Sequence, residues 1–388
     1  IQLGNVIEAE TACHRSLDLN PNLFNSHFLL ATIFIGKKQL KEAEHHLRKC
    51  IEINPDFNEA HINLGVILKD LENIEGNKFE YNKEKYHYNY PSKCKSEIIN
   101  ICHLKPENHI HAEALYDLSN LVFFGVKEAD YKCTLNTNLI LNNCINIIIG
   151  SHFIPIDQLQ NMNERIIFIN TEQIQSCKKE WLNFITSPTN SNNIIWDYNI
   201  ANIKHINKIN PQKKCLFFKL GYNKNLNRLN NHFNIKKEID LLFYGSINKR
   251  RAKIIKEIIK EGINIKTIFG IYGKELDKYI IKSKFVLNLH QHNMQVLESI
   301  RLFYLMSNDI PVISEMSENT KDNQGISRYI ETSNLENLIE KIKSLLDENY
   351  NLTRERTIKN YNEFKSLKQS TIISNLLKDS IDWFNLKS

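Results

Sequence analysis

The chain is short of the residues that mark several common protein classes. Only 12 of its 388 residues are glycine and 8 are proline, which excludes collagen-like and linker-rich polymers and leaves a chain able to bury one or more full cores. The eight cysteines (Cys13, Cys50, Cys94, Cys102, Cys133, Cys144, Cys177 and Cys215) are scattered, with no CxxC pair. Neither a zinc site nor a disulfide framework is encoded, and a reducing cytoplasm is the expected location. No apolar run approaches the roughly 18 to 20 residues of a membrane helix. The opening IQLGNVIEAE has neither an initiator Met nor the basic-then-apolar layout of a signal peptide, so a start inside a larger protein is expected. A one-sided charge is also missing. Fifty Lys and Arg stand against 44 Asp and Glu, a net of +6, too balanced to demand a nucleic-acid partner.

What is present begins with a repeat. EAETACHRSLDLNPN from Glu8 and EAEHHLRKCIEINPD from Glu42 superimpose, with Pro21 and Pro55 in register. In the complete copy Leu30, Ala31, Phe34, Ala43, Leu47, Cys50 and Pro55 stand where tetratricopeptide repeats place their packing residues and closing proline, and the segment resembles that family. The small residues Ala31 and Gly65 are expected to let the helices of a hairpin approach, and the prolines to end each hairpin. A third copy starts as EAHINLGVILKDL and then decays. Residues 1–72 are therefore expected to form the tail of a repeat array and 73–107 an irregular connection. The resemblance implies a concave surface for a protein or peptide partner, and a passive spacer is the alternative.

From about residue 108 short β-branched or aromatic runs alternate with amphipathic segments, which predicts parallel sheets covered by helices. The runs are INIIIG (145–150), RIIFI (165–169), NNIIW (192–196), CLFFKL (215–220), IDLLFYG (239–245), IKTIFG (265–270), FVLNL (285–289) and IPVIS (310–314). In open parallel sheets function sits beyond the carboxyl ends of strands. The residues following these runs include His152, Glu172, Asp197, Ser246, His290 and Glu315. The aperiodic stretch KLGYNKNLNRLNNHFNIKKEID predicts a boundary near residue 223, between Rossmann-like halves at 108–222 and 223–388.

The segment HQHNMQVLESIRLFYLMSNDIPVISE, with His290 and then Glu298 eight residues on, resembles the donor half of GT-B glycosyltransferases. So does FYGSINKRR, with its Gly245-Ser246 turn and the following Arg250 and Arg251. The resemblance implies an α/β fold of two facing Rossmann-like domains after the all-α repeat. It implies transfer of a sugar from a nucleotide-sugar donor, with no metal and no cofactor beyond that donor substrate. His290, Gly245, Ser246, Arg250 and Arg251 would then meet the diphosphate, Glu298 the ribose hydroxyls and Glu315 the sugar. A helix beginning after His290 is expected, aiming backbone N–H groups at phosphate and carrying Glu298 two turns on. The QHNMQVL segment before that glutamate lacks the glycines usual in the family.

Other readings stand beside these. Two adjacent helical arginines point about 100° apart, so one of them is expected to be solvated or ion-paired. Glu298 has Arg301 three residues on as an ion-pair partner, and Glu315 fits an exposed acidic loop. His290 and His292 have no nearby Asp, Glu or Cys to complete a metal site. An inverting reaction needs a general base in the N-terminal half; His152 is the candidate, with Glu172 and Asp197 as runners-up, and retaining chemistry would not need one. Rival functions are a non-catalytic interaction protein on a degenerate scaffold and a sugar-nucleotide epimerase using His152, Glu172 and Glu315.

Overall fold

A computed structural model of the chain describes residues 3–387 except 55–56, 76–97, 107–109, 154–164, 175–178, 187–191, 230–231 and 292–296. The N-terminal helices are α1 (Leu3–Leu19), α2 (Phe24–Gly36), α3 (Leu40–Ile53) and α4 (Asn58–Glu75). There follow β1 (Ile98–His103), α5 (Tyr116–Glu128), β2 (Lys132–Thr137), β3 (Ile145–Ile149), β4 (Arg165–Asn170), α6 (Lys179–Thr186), β5 (Ile194–Asp197), α7 (Ile200–Ile209) and β6 (Cys215–Phe217). The remainder is β7 (Ile239–Tyr244), α8 (Lys249–Lys260), β8 (Ile265–Ile268), α9 (Gly273–Ile280), β9 (Ser283–Asn288), α10 (Ser299–Ser307), β10 (Val312–Glu315), β11 (Glu331–Ser333), α11 (Leu338–Asp347), α12 (Tyr350–Ser366) and α13 (Gln369–Lys387). Strands β1 to β6 form one parallel sheet and β7 to β11 belong to a second. The expected class, two parallel α/β sheets after an all-α repeat, is what the chain forms.

Two compact units emerge, and neither follows the predicted boundary at 223. The first gathers Ile1–Lys78, Lys237–Ile271 and Lys282–Gln291. It therefore joins the repeat helices to β7, α8, β8 and β9. Leu30, Ala31, Ala43, Leu47, Cys50, Ala60 and Leu64 share one buried cluster with Phe269, which follows β8. β7 runs parallel to β8 and to β9, with Leu241 opposite both Ile265 and Phe285. On the other side of β8, the Asn58 amide donates to the Ile265 carbonyl at 2.8 Å and accepts from the Thr267 N–H at 3.1 Å. A side chain thus satisfies a strand edge that would otherwise be left open. Gly65 occupies the register of Ala31, but a Cβ there would lie 2.8 Å from the Ile247 Cβ. The close approach it allows is to the α/β part of the unit, a different partner from the expected hairpin helix.

The second unit gathers Phe79–Lys236, Tyr272–Ile281 and His292–Ser388. Its six strands lie in the order β2-β1-β3-β4-β5-β6, all parallel, over a core that includes Cys102, Ile148, Phe168, Trp181, Ile195 and Ile206. β1 falls inside the stretch expected to be an irregular connection, so that expectation is corrected for residues 98–103; residues 76–97 lie outside those described. The C-terminal helix α13 packs on α5, where a Cβ on Gly125 would meet Gln369 and Ile373 at 3.0 Å. Ser380 on α13 accepts from the Trp196 indole at 3.1 Å. The last nineteen residues of described helix therefore belong with the first sheet rather than with a domain 223–388. Arg228 ties this unit further: it forks onto Asp117 at 2.6 and 3.3 Å, donates to Asp277 at 2.6 Å, and lies 4.4 Å over the Tyr304 ring. Among the described residues no helix is long and apolar enough to cross a membrane.

Candidate functional site

At the carboxyl edge of the six-stranded sheet, β3 ends in Gly150 and a short turn of helix, Ser151–Phe153, that presents His152. β4 ends at Asn170, two residues before Glu172. Because β3 and β4 are adjacent, with Ile149 opposite Ile169, these side chains converge. The His152 Nε2 lies 3.7 Å from the Glu172 Oε1. The residues proposed as base and runner-up are thus brought together.

Asp197, the other runner-up, ends β5 and is wholly buried. Its carboxylate accepts from the Asn170 amide at 2.7 Å, the Asn202 amide at 3.1 Å and the Asn199 N–H at 2.8 Å. Burial pushes its pKa up to about 7 against the downward pull of these donors. Asn170 and Asn202 each donate a second bond, at 2.9 Å, to the Glu172 carbonyl. Asp197 is therefore an anchor beneath the loop that carries Glu172.

In the other unit β7 ends in the turn before α8. Gly245 has φ of 113°, a conformation that costs glycine little and other residues much. Asn248 caps α8, accepting from the Arg251 N–H at 2.9 Å, and its amide donates to the Gln291 carbonyl. The first turn holds Lys249, Arg250 and Arg251 with no acidic residue, a poor match to the helix dipole unless an anion or carbonyl groups compensate. For Arg251 the compensation is internal. It is fully buried, its guanidinium donates to the Leu289 carbonyl through Nε (3.1 Å) and Nη2 and to the Ser246 carbonyl through Nη1 (2.9 Å), and it faces the Phe243 ring. This places Arg251 inside the fold. Arg250 is half-buried and donates to the His290 carbonyl at 3.0 Å. The His290 side chain is itself buried.

The helix expected directly after His290 falls on residues that the structure does not describe, and only the placement of Glu298 is corrected. Residues 292–296 lie outside the description, and α10 begins at Ser299, so Glu298 is its N-cap residue and does not sit two turns in. Glu298 Oε2 pairs with Arg301 Nη2 at 3.5 Å. Glu315 is buried at the end of β10, not on an exposed acidic loop. Among the described residues no group of three or more His, Cys, Asp or Glu could hold a metal ion.

Sequence reasoning passed over His103, the last residue of β1, which is buried with Nδ1 2.9 Å from the Ser119 Oγ. A usable signal was present: a parallel sheet requires a strand before helix α5, and IINIC is the β-branched run that supplies it, ending in a histidine.

A tetratricopeptide-repeat family model matches residues 24–57. Two uncharacterized proteins of Acanthamoeba polyphaga mimivirus are 32% identical over 162 residues and 29% identical over 153. These matches cover 41% and 39% of this chain but only 17% and 20% of the relatives, so the chain spans about a fifth of their length. Among solved structures, the chain is similar to an O-GlcNAc transferase mutant of Thermobaculum terrenum, at 10% identity over 98% of this chain and 88% of that one with a TM-score of 0.43. It is also similar to a glycosyltransferase of Rickettsia africae, at 9% identity over 75% and 99% of the two chains with a TM-score of 0.46.

Proposed function

We propose that this protein is a glycosyltransferase that moves a sugar from a nucleotide-sugar donor to an acceptor hydroxyl without a metal ion. The observation that carries this reading is the His152–Glu172 pair at 3.7 Å beyond the carboxyl ends of adjacent parallel strands. As the acceptor oxygen attacks the anomeric carbon, the bond from that carbon to the diphosphate breaks and its electron pair leaves with the diphosphate. The hydroxyl proton passes to the His152 imidazole, and Glu172 stabilises the imidazolium that results. Arg250, the Gly245-Ser246 turn and His290 would receive the diphosphate, with Glu298 on the ribose and Glu315 on the sugar; the Arg250 guanidinium would counter the charge that grows on the leaving group. The repeat helices would recruit a protein partner or acceptor.

The Glu298–Arg301 pair and the lack of glycine in the segment before it favour a second reading, a non-catalytic interaction protein on this scaffold. Calorimetric titration of the intact chain with UDP, GDP, ADP and CMP, repeated on Arg250→Ala and Glu298→Ala, separates the two. Binding of one nucleotide, weakened by both variants, supports the transferase. Absence of binding at millimolar nucleotide would leave the scaffold.

A further inference from the structure

The order β2-β1-β3 reverses direction at β1, and open parallel sheets form their ligand crevice at the carboxyl ends of such a switch point. Four buried polar atoms without a hydrogen-bond partner among the described residues gather at this edge: His103 Nε2, Ser151 Oγ, Thr171 Oγ1 and Gln173 Oε1. His103 closes β1, Ser151 follows β3, and Thr171 and Gln173 follow β4. The strands are neighbours in register, His103 opposite Ile149 and Ile149 opposite Ile169, so the three strand ends that carry these groups stand one strand spacing, ~5 Å, apart. A buried polar atom without a partner has given up its hydration with no hydrogen bond in exchange. Four at one sheet edge match a ligand's footprint better than chance defects in packing.

The chemistry of the four atoms selects the ligand. The Ser119 hydroxyl donates to the Leu115 carbonyl at 3.1 Å, so toward His103 it acts as an acceptor and the imidazole carries its hydrogen on Nδ1. Nε2 then keeps a lone pair, and burial lowers the His103 pKa, which keeps the ring neutral. Gln173 Oε1 is also an acceptor only, whereas Ser151 and Thr171 both give and take hydrogen bonds. A phosphate or carboxylate offers no hydrogen to Nε2 or to the amide oxygen, and it would meet Glu172, which shares this edge, with like charge. A cationic ligand lacks the acceptors that two hydroxyls can use. A group of neutral hydroxyls satisfies all four.

On the basis of the glycosyl-transfer reading, we infer that the carboxyl edge of β1, β3 and β4 binds a neutral polyhydroxylated acceptor, a carbohydrate, with His103 Nε2 accepting from one of its hydroxyls. His103 here is a binding group, and proton transfer stays with His152.

The test is saturation-transfer NMR and calorimetry on the intact chain. The probes are maltose, lactose, cellobiose and chitobiose, with glucose 6-phosphate and a Ser/Thr-rich peptide as contrasts, and UDP is titrated separately. Neutral saccharides are expected to bind with Kd of about 10 mM or tighter. Thr171→Val, which keeps shape at a partly exposed position, and His103→Phe should each weaken saccharide binding roughly fivefold and leave UDP binding unchanged. Thr171→Val keeps the test decisive if His103→Phe folds poorly. Preference for glucose 6-phosphate or the peptide, or saccharide binding indifferent to Thr171→Val, overturns the inference. UDP binding with no saccharide binding sinks this inference alone. Saccharide binding without any nucleotide binding sinks the transferase reading and leaves this site standing.

Discussion

Arg250 and Arg251 are adjacent in sequence but differ in burial, and single substitutions test whether they differ in role. Arg251→Ala would strip the Leu289 and Ser246 carbonyls of three guanidinium bonds and remove the cation from the Phe243 ring. Hydrogen bonds from a charged donor contribute about 1.5–3 kcal/mol each and do not add in full, so the loss is about 4 kcal/mol. For a unit of one to two hundred residues that lowers Tm on the order of 10 °C. Because a chain with two units is not expected to melt in one step, the quantity to read is the first calorimetric transition. Arg251→Lys should recover less than half of the loss, since an ammonium cannot span two carbonyls as the planar fork does. Arg250→Ala acts on a half-buried side chain that donates to the His290 carbonyl and should lower that transition less than Arg251→Ala does. It should also weaken UDP roughly 10- to 100-fold, the equivalent of one charge-assisted phosphate bond. Refutation takes a definite form: Arg251→Ala melting with the wild type while losing UDP, and Arg250→Ala binding UDP normally, would reverse the two roles.

Three further outcomes are expected. Asn58→Ala leaves the Thr267 N–H and the Ile265 carbonyl open on the edge of β8, which should cost about 2 kcal/mol; hydrogen exchange at Thr267 should accelerate, and unchanged exchange would show that Asn58 does not close that edge. His46, whose ring is crowded by burial and by His27, His45 and His14, has its pKa lowered to about 4, so between that value and 6.5 the unfolded chain binds more protons. Stability of the repeat should then be full above pH 6.5 and fall as pH drops toward 4, by about 1–2 kcal/mol after solvent screening of a half-buried ring; His46→Gln should flatten the thermal-melting profile over that window. Asp197→Asn would set an N–H against the donors of Asn170, Asn199 or Asn202; a lower Tm and a changed pH profile of turnover, through the loop that carries Glu172, are the expected readouts.

All eight strands expected from apolar runs are present, and most are buried on both faces, as in Ile145–Ile149 and Ile194–Asp197; β6 is an outer, partly buried strand whose run is apolar nonetheless. The strands that went unread differ physically. β2, KCTLNT, is the outer strand of its sheet and only partly buried, so its side chains need not be apolar. β11 is three residues long and partly buried throughout. β1 is buried over most of its length, and it was masked by the decaying repeat before it rather than by its own composition. That omission hid His103, since a residue is recognised as lying at a strand's carboxyl end only once the strand is seen.

The position of Arg251 was legible in a different way. α8 buries Arg251, Ala252, Ile254, Ile255 and Ile258, and 251, 254, 255 and 258 are the i, i+3, i+4 and i+7 positions of one helical face. The period that identifies the helix therefore also assigns Arg251 to the face that turns inward, and Arg250, a hundred degrees away, to its border. What the period does not supply is the partner. A buried arginine requires acceptors, and here they are the carbonyls of Leu289 and Ser246, groups carried by every residue and so invisible in a sequence pattern. Gly65 shows the same limit: the repeat register requires a small residue there, but only the packed chain identifies Ile247 as the neighbour that fills the space. Periodicity fixes which face of an element is buried and how large its residues can be, whereas backbone acceptors and distant neighbours decide what a buried polar or missing side chain is for.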